Sequence, residues 1–356
     1  MRGRYLPVAA FAGLIVAIQM ATHFTGSGYH LTQLTMSAYY SLLAIGLCLL
    51  VGYAGQISIG HAGFFAIGGY ITALLTTHDL SSHQGLALGW LAKVGVLSSR
   101  TGLYGGHLLT LHPWAACLVA IVATVGVAYA VGGPVLKLKG HYLAMATLGF
   151  GTIVYRIVLG SPLVGGADGL SEVPPFVLLP GLEVSSQASL RVQNYYLAWG
   201  LVIGGMMLLL NLIHSRTGRA LSAIHGAEDA ADAMGIPTAR YKLNTFVLSA
   251  AYAGLAGVLL THFNGGIGPS EASIMKSVRY VAIVAIGGMA NLWGALLMSL
   301  LLNYLSLRGY FGTYDDAVFG GILILIMLFA PEGLLRRQLF GELRNLFSRD
   351  AAEEAP

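Results

Sequence analysis

The run Gly52-Tyr53-Ala54-Gly55-Gln56-Ile57-Ser58-Ile59-Gly60-His61-Ala62-Gly63 sets three hydrogen-bonding side chains, Gln56, Ser58 and His61, among closely spaced glycines. Six glycines fall within the 18 residues 52–69, which lowers helix propensity sharply. Apolar sequence flanks the run on both sides. Non-helical backbone at membrane depth survives only when buried in protein or lining a wet cavity. Interrupted helices of this kind build solute sites in transporters. Close helix packing also favours Gly and Ser. The pattern alone leaves both readings open.

A second candidate is the polar segment from Ser215 through Arg219, Ala220 and Ile224 to Asp229-Ala230-Ala231-Asp232-Ala233-Met234-Gly235-Ile236-Pro237. Gly218 and Gly226 interrupt it, and Gly235 with Pro237 stops whatever helix precedes. One or two short helices are predicted, with Asp229 suited to cap one and to its N-terminal dipole. Ala230, Ala231 and Ala233 leave a small-residue surface that another protein could approach. So short a helix is not stable alone in water. It is held by its own membrane domain, by a partner, or by both.

Arg156 lies about 14 residues into an apolar run, ~21 Å along a helix, nearer one interface than the centre. Snorkelling accounts for it, and a role in a pathway is the sharper reading. The cluster Ala285-Ile286-Gly287-Gly288-Met289-Ala290-Asn291-Leu292-Trp293-Gly294-Ala295 reads as a tight turn between two apolar runs.

The absences narrow the chemistry. No GxxxxGK[ST] loop is present, so the chain has no ATPase site of its own. No HExxH occurs, and the 11 histidines show no metal-ligand spacing. No Ser/His/Asp set assembles, so no catalytic residues are named. Asp and Glu fall in loops or at span edges, which weakens a proton-coupled carrier.

These residues sit in a chain of 356, of which 56% are hydrophobic and 10% charged. A soluble domain carries roughly 25% charged residues, and one core cannot hide so much apolar surface. Disordered chains are polar and charge-rich, so disorder is excluded too. The net charge of +4 is dispersed and gives no nucleic-acid footprint. Cys48 and Cys117, the only cysteines, sit in apolar runs and make neither a disulfide scaffold nor a zinc site. The composition is that of an integral membrane protein.

A bilayer-crossing helix needs about 20 apolar residues. Ten candidates are predicted, near 6–23, 32–52, 57–77, 113–135, 142–160, 194–214, 242–263, 276–289, 291–307 and 316–331. The fold class is therefore an all-α polytopic bundle, with the Gly-rich third segment broken or re-entrant. The eighth is short and carries Lys276 and Arg279 at its start. With both termini in the cytoplasm, twelve of the 19 Lys and Arg fall inside, six outside, and Arg156 within a span; the bias supports that orientation. No cleavable signal peptide is evident. The organisation is a transmembrane domain 1–335, with an internal segment 215–241 and external loops 78–112 and 161–193. A tail 336–356 follows. Loop 78–112 has an apolar patch at Leu86–Val96. The tail places Leu339, Leu343, Leu346 and Phe347 on one helical face, as a helix on the membrane surface or a frayed end.

Together the motifs resemble those of the permease subunits of branched-chain amino acid ABC importers. GYAGQISIGHAGFFAIGGY at 52–70, LKLKGHYLAMATLGFGTIVYR at 136–156 and GGADGL at 165–170 carry the resemblance. So do RALSAIHGAEDAADAMGIPTARYKLNTFVLSAAYAGLAG at 219–257, AIGGMANLWGALL at 285–297 and APEGLL at 330–335. The LivM-type subunit fits better than its LivH-type sister.

The resemblance implies a cytoplasmic coupling helix of the EAAxxxG kind, matched by Asp229–Gly235 with Asp in place of Glu. It implies that Arg219, Ala220, Ile224, Asp229, Ala230, Ala231 and Gly235 meet an ATP-binding subunit. Gln56, Ser58 and His61 are expected to line a translocation pathway that Gly52, Tyr53, Gly55 and Gly60 also border. The implied partners are two ATP-binding cassette subunits carrying ATP and Mg, a LivH-type permease, a periplasmic solute-binding protein and membrane lipid. The implied location is the bacterial inner membrane, with no cofactor on this chain itself. His141 stands where an acidic residue is expected, Thr152 where Glu is common, and loop 78–112 is long. These departures bear on the solute: branched-chain amino acids first, then urea, short amides or aromatic acids. A secondary carrier or channel working without an ATPase is the alternative class.

Overall fold

The computed structural model describes residues 5–79, 97–101, 107–138, 140–179 and 181–329. Every one of the ten apolar segments contains a helix. They are α1 Leu6–Phe24, α2 Tyr29–Cys48, α3 His61–Thr77, α4 Pro113–Val135, α5 His141–Gly160 and α6 Arg191–Ile213. After two short polar helices, α7 Arg216–Gly226 and α8 Glu228–Ala233, come α9 Thr238–Asn264, α10 Ile274–Gly287, α11 Leu292–Leu307 and α12 Asp315–Phe329. Six stretches are long and apolar enough to cross a membrane: Leu6–Phe24, Tyr29–Tyr53, Pro113–Val135, His141–Gly160, Ala188–Ile213 and Thr238–Asn264. The other four apolar helices are shorter. α3 has 17 residues, α10 14, α11 16 and α12 15. The ten candidate spans are thus six long helices and four short ones among the described residues, the short ones including the third and eighth segments.

Burial sorts the long helices. The apolar window of Tyr29–Tyr53 is 94% buried, whereas that of α1 is 17%. A helix apolar all round and buried all round belongs at the centre of a bundle. α2 and α9 form that centre, and α1, α4, α5 and α6 turn most of their apolar surface outward.

The contact between α3 and α9 explains many of the glycines. A Cβ on Gly68 would meet the backbone of Gly254, and one on Gly257 would meet the Phe65 carbonyl. Each helix presents a bare backbone to the other, so the axes approach more closely than side chains allow. Dispersion between packed backbones substitutes for the hydrophobic effect, which is absent between helices in lipid.

Strands are confined to the connections. β1 Leu97–Thr101 and β2 His107–Leu111 form an antiparallel hairpin within the loop 78–112. β3 Leu170–Ser171 pairs with β6 Gly266–Ile267, and β4 Phe176–Leu179 with β5 Leu182–Val184. The apolar patch Leu86–Val96, the 330–335 motif and the tail 336–356 with its apolar face lie outside the described residues.

Candidate functional site

α2 does not stop at Cys48 but widens into a π-helical turn over Leu49–Tyr53. Beyond Ala54 the backbone is non-helical until α3 begins at His61. Gly55 takes φ +65°, a left-handed conformation that L side chains adopt with strain. This break is pinned on several sides. A side chain at Gly52 would strike the Met289–Ala290 backbone in the α10–α11 turn, and one at Gly60 would strike the Thr147 carbonyl of α5. Ile59 N–H donates to Thr147 Oγ1 at 3.0 Å, and Ala62 N–H to Ser277 Oγ of α10 at 3.2 Å. Side-chain hydroxyls thus satisfy amides that the break frees.

Ser58 and His61 also hold this frame. Ser58 Oγ lies 3.0 Å from His61 Nδ1, and Ser249 Oγ of α9 lies 2.8 Å from His61 Nε2. Both ring nitrogens are engaged, and all three side chains are buried. Tyr53 is half-buried. Gln56 differs. It is 1% exposed, yet neither its Oε1 nor its Nε2 has a hydrogen-bond partner. It lines a cavity of about 210 Å³ with Gly55, Leu143, His225, Glu228 and Lys242. A buried amide with no partner is costly in an apolar setting, and a polar cavity beside it gives water or a solute access to those atoms.

The far wall of the cavity is the segment 215–241. Ser215 Oγ accepts from Thr217 N–H at 3.1 Å and caps α7. Gly218 packs on the Ile213 backbone, and Leu221 and Ile224 bury into the bundle. His225, at the end of α7, touches Gly55 of the break. α8 starts two residues earlier than a cap at Asp229 requires. Its N-cap is Ala227, with no side-chain cap bond, and Glu228 and Asp229 form its acidic first turn. Asp229 therefore complements the dipole without capping the helix. Gly235 takes φ +82° and ends the segment.

Lys242 of α9 fastens α8. Its Nζ donates to both Glu228 oxygens, at 2.8 and 2.9 Å. Ala231 tucks inward as well. The seven expected coupling residues therefore divide. Ile224 and Ala231 face their own chain, Ala220 is half-buried, and Arg219, Asp229, Ala230 and Gly235 are exposed together with Met234.

Sequence reasoning missed a second polar cluster. Tyr40 OH donates to Glu271 Oε1 at 3.2 Å, and Lys276 Nζ bonds the same oxygen at 3.0 Å. Lys276 and Arg279, at the start of the short eighth segment, were the available signal. Arg279 reaches Asp315 at 2.7 Å and Asp316 at 2.9 Å, clamping α10 to α12. Among the described residues no group of three or more His, Cys, Asp and Glu assembles as a metal site.

The comparisons bear on all of this. The chain matches the family described as branched-chain amino acid transport system / permease component over residues 29–327. It is 31% identical over 346 residues to the high-affinity branched-chain amino acid transport system permease protein LivM of Salmonella typhimurium, covering 91% of this chain and 74% of that protein. It is 29% identical over 325 residues to the corresponding protein BraD of Pseudomonas aeruginosa, covering 87% and 97%. It is 27% identical over 316 residues to LivH of Escherichia coli, covering 85% and 93%. No solved structure matches. The chain belongs to the permease-component family of branched-chain amino acid transport systems, as a membrane subunit of an ABC transporter and not as its ATPase.

Proposed function

We propose that this permease imports branched-chain amino acids across the bacterial inner membrane, with its termini and the 215–241 segment in the cytoplasm. A periplasmic binding protein delivers the solute to the opposite face. α8 sits in a cleft of an ATP-binding cassette subunit, a second LivH-type permease completes the pathway, and two cassette subunits supply ATP turnover. The observation that carries this reading is the exposed ridge formed by Asp229 and Ala230 of a six-residue helix with Met234 and Gly235 just past its end. Such a helix has no stability of its own, and an inward ion pair holds it in place.

Motion of α8 reaches the membrane by two contacts. Glu228 pulls on Lys242 of α9, and His225 presses on Gly55 of the break. Gly52, Tyr53, Gly55, Gln56, Ser58, Gly60 and His61 border the cytoplasmic mouth of the pathway, where the unpaired Gln56 amide meets the solute.

Co-purification from native membranes tests the assignment. The expected result is stoichiometric recovery of an ATP-binding subunit and a second permease, with crosslinking of Met234→Cys to the ATP-binding subunit. A homo-oligomer without an ATPase, even after crosslinking, would move the secondary carrier to first place.

A further inference from the structure

The buried cluster around Glu271 lies well away from the Gly-rich break. Tyr40 is 11 residues into α2, ~16 Å along its axis, about half of a ~30 Å bilayer core. Glu271 and Lys276 bond to Tyr40 and so sit near mid-membrane. α10 is consistent with that depth. Its 14 residues span only ~21 Å, so it begins part-way through the bilayer. An ionisable pair at such a depth marks a pathway more often than a strut.

The pair is not saturated. Glu271 uses Oε1 for both Tyr40 and Lys276, while its Oε2 has no partner. Tyr280 OH and Tyr70 OH also have none, although these residues are 1% and 3% exposed. Tyr280 packs against Tyr40 with ring centroids 6.1 Å apart. Tyr70 shares a buried cluster with Ala272, which follows Glu271. One carboxylate oxygen and two phenol hydroxyls are thus left unpaired in an apolar setting. The Glu271 and Lys276 side chains keep 18% and 22% exposure, so the cluster borders solvent although its unpaired oxygens are themselves shielded.

We propose that Glu271, Lys276, Tyr70 and Tyr280 recognise the head group of a zwitterionic α-amino acid. The free Glu271 oxygen takes the solute's ammonium. Lys276 and the phenol hydroxyls take its carboxylate, aided by the N-terminal dipole of α10. This inference rests on the amino-acid importer reading and names the recognition site within it.

The experiment uses the assembled importer in proteoliposomes, with a diazirine analogue of leucine as probe and mass spectrometry to locate the label. Labelling is expected on peptides containing Tyr40, Tyr70 or Tyr280. Leucine should compete, but not leucine amide, which lacks the carboxylate, nor 4-methylpentanoate, which lacks the ammonium. Glu271→Gln and Lys276→Met should each lower labelling at least tenfold in complexes that still co-purify. Tyr70→Phe and Tyr280→Phe should lower leucine uptake about fivefold. Removing an unpaired buried hydroxyl is otherwise neutral or stabilising, so unchanged uptake in both Phe variants overturns the proposal. So does restoration of labelling and uptake to within twofold by the charge-swapped pair Glu271→Lys/Lys276→Glu, because a strut tolerates exchange. Label found elsewhere in a complex that imports leucine overturns this site and leaves the importer standing. A complete complex that imports no leucine overturns both.

Discussion

Lys242 Nζ lies 2.8 and 2.9 Å from the two carboxylate oxygens of Glu228, across the junction between α8 and α9. The lysine side chain is 7% exposed and the glutamate 30%, so the bond is partly shielded from water. Removing one partner leaves a charge stranded beside the cavity that Gln56 lines. Glu228→Gln should loosen α8 by about 2 kcal/mol, and Lys242→Met should do the same. Limited proteolysis between 226 and 237 should speed up, and solute uptake should fall while membrane insertion persists. Equal cleavage rates in wild type and both variants would show that α8 is held by packing alone.

The α3–α9 crossing makes a sharper stability prediction. Gly257→Ala drives a methyl group into the Phe65 carbonyl, and Gly68→Ala into the Gly254 backbone. Neither neighbour can swing aside, so each change should cost about 1–3 kcal/mol or more. Gly126 of α4 and Gly200 of α6 have nothing within 4 Å of the added atom. Alanine there should be neutral or should stabilise by about 0.5–1 kcal/mol. Thermal unfolding in detergent measures the contrast, and similar melting shifts in all four variants would refute the close-approach account.

Composition and apolar run length made the helices legible, because lipid demands long apolar stretches whose polar backbone is satisfied internally. The 215–241 segment was legible too, since Gly218, Gly226, Gly235 and Pro237 punctuate it in one dimension. The partnership of Glu228 with Lys242 was not, because it joins residues 14 apart across a turn. Glu271 was hidden further. Its partner Tyr40 lies 231 residues away, and a glutamate beside Pro269 and Ser270 reads as a loop residue until the fold shows how deep that loop reaches. The double duty of small residues blurred the Gly-rich run. Gly52 and Gly60 serve close packing, Ser58 and His61 serve a buried hydrogen-bond frame, and Gln56 alone keeps an unpaired polar group.

That division makes His61 informative. His61→Ala would leave Ser58 and Ser249 without their ring partner in a dry setting, at a cost of about 1–3 kcal/mol. A frame residue should lose stability and uptake together. Gln56→Leu, by contrast, removes an amide that bonds nothing. It should leave the melting temperature unchanged or raised while slowing solute release. If His61→Ala kept full stability and lost only uptake, the histidine would belong to the solute path in the same sense as Gln56.

The last prediction concerns Arg156. It lies on the exposed face of α5 beside Gly149, Thr152, Ile153 and Ile157, which line a shallow groove with it. The opposite face of α5 packs inward through Val154 and Val158. Arg156 makes no ion pair among the described residues. An arginine facing lipid costs up to about 2.5–3.5 kcal/mol at the helix centre and less near an interface. Snorkelling lowers that cost, but an acidic group on a neighbouring subunit would remove it. These alternatives separate by experiment. If the second permease covers this face, Arg156→Leu should leave the isolated chain as stable as before or more so. It should also reduce recovery of the second permease severalfold, and Arg156→Lys should restore part of that recovery. Undiminished recovery with Leu at 156 would assign the arginine to the lipid interface.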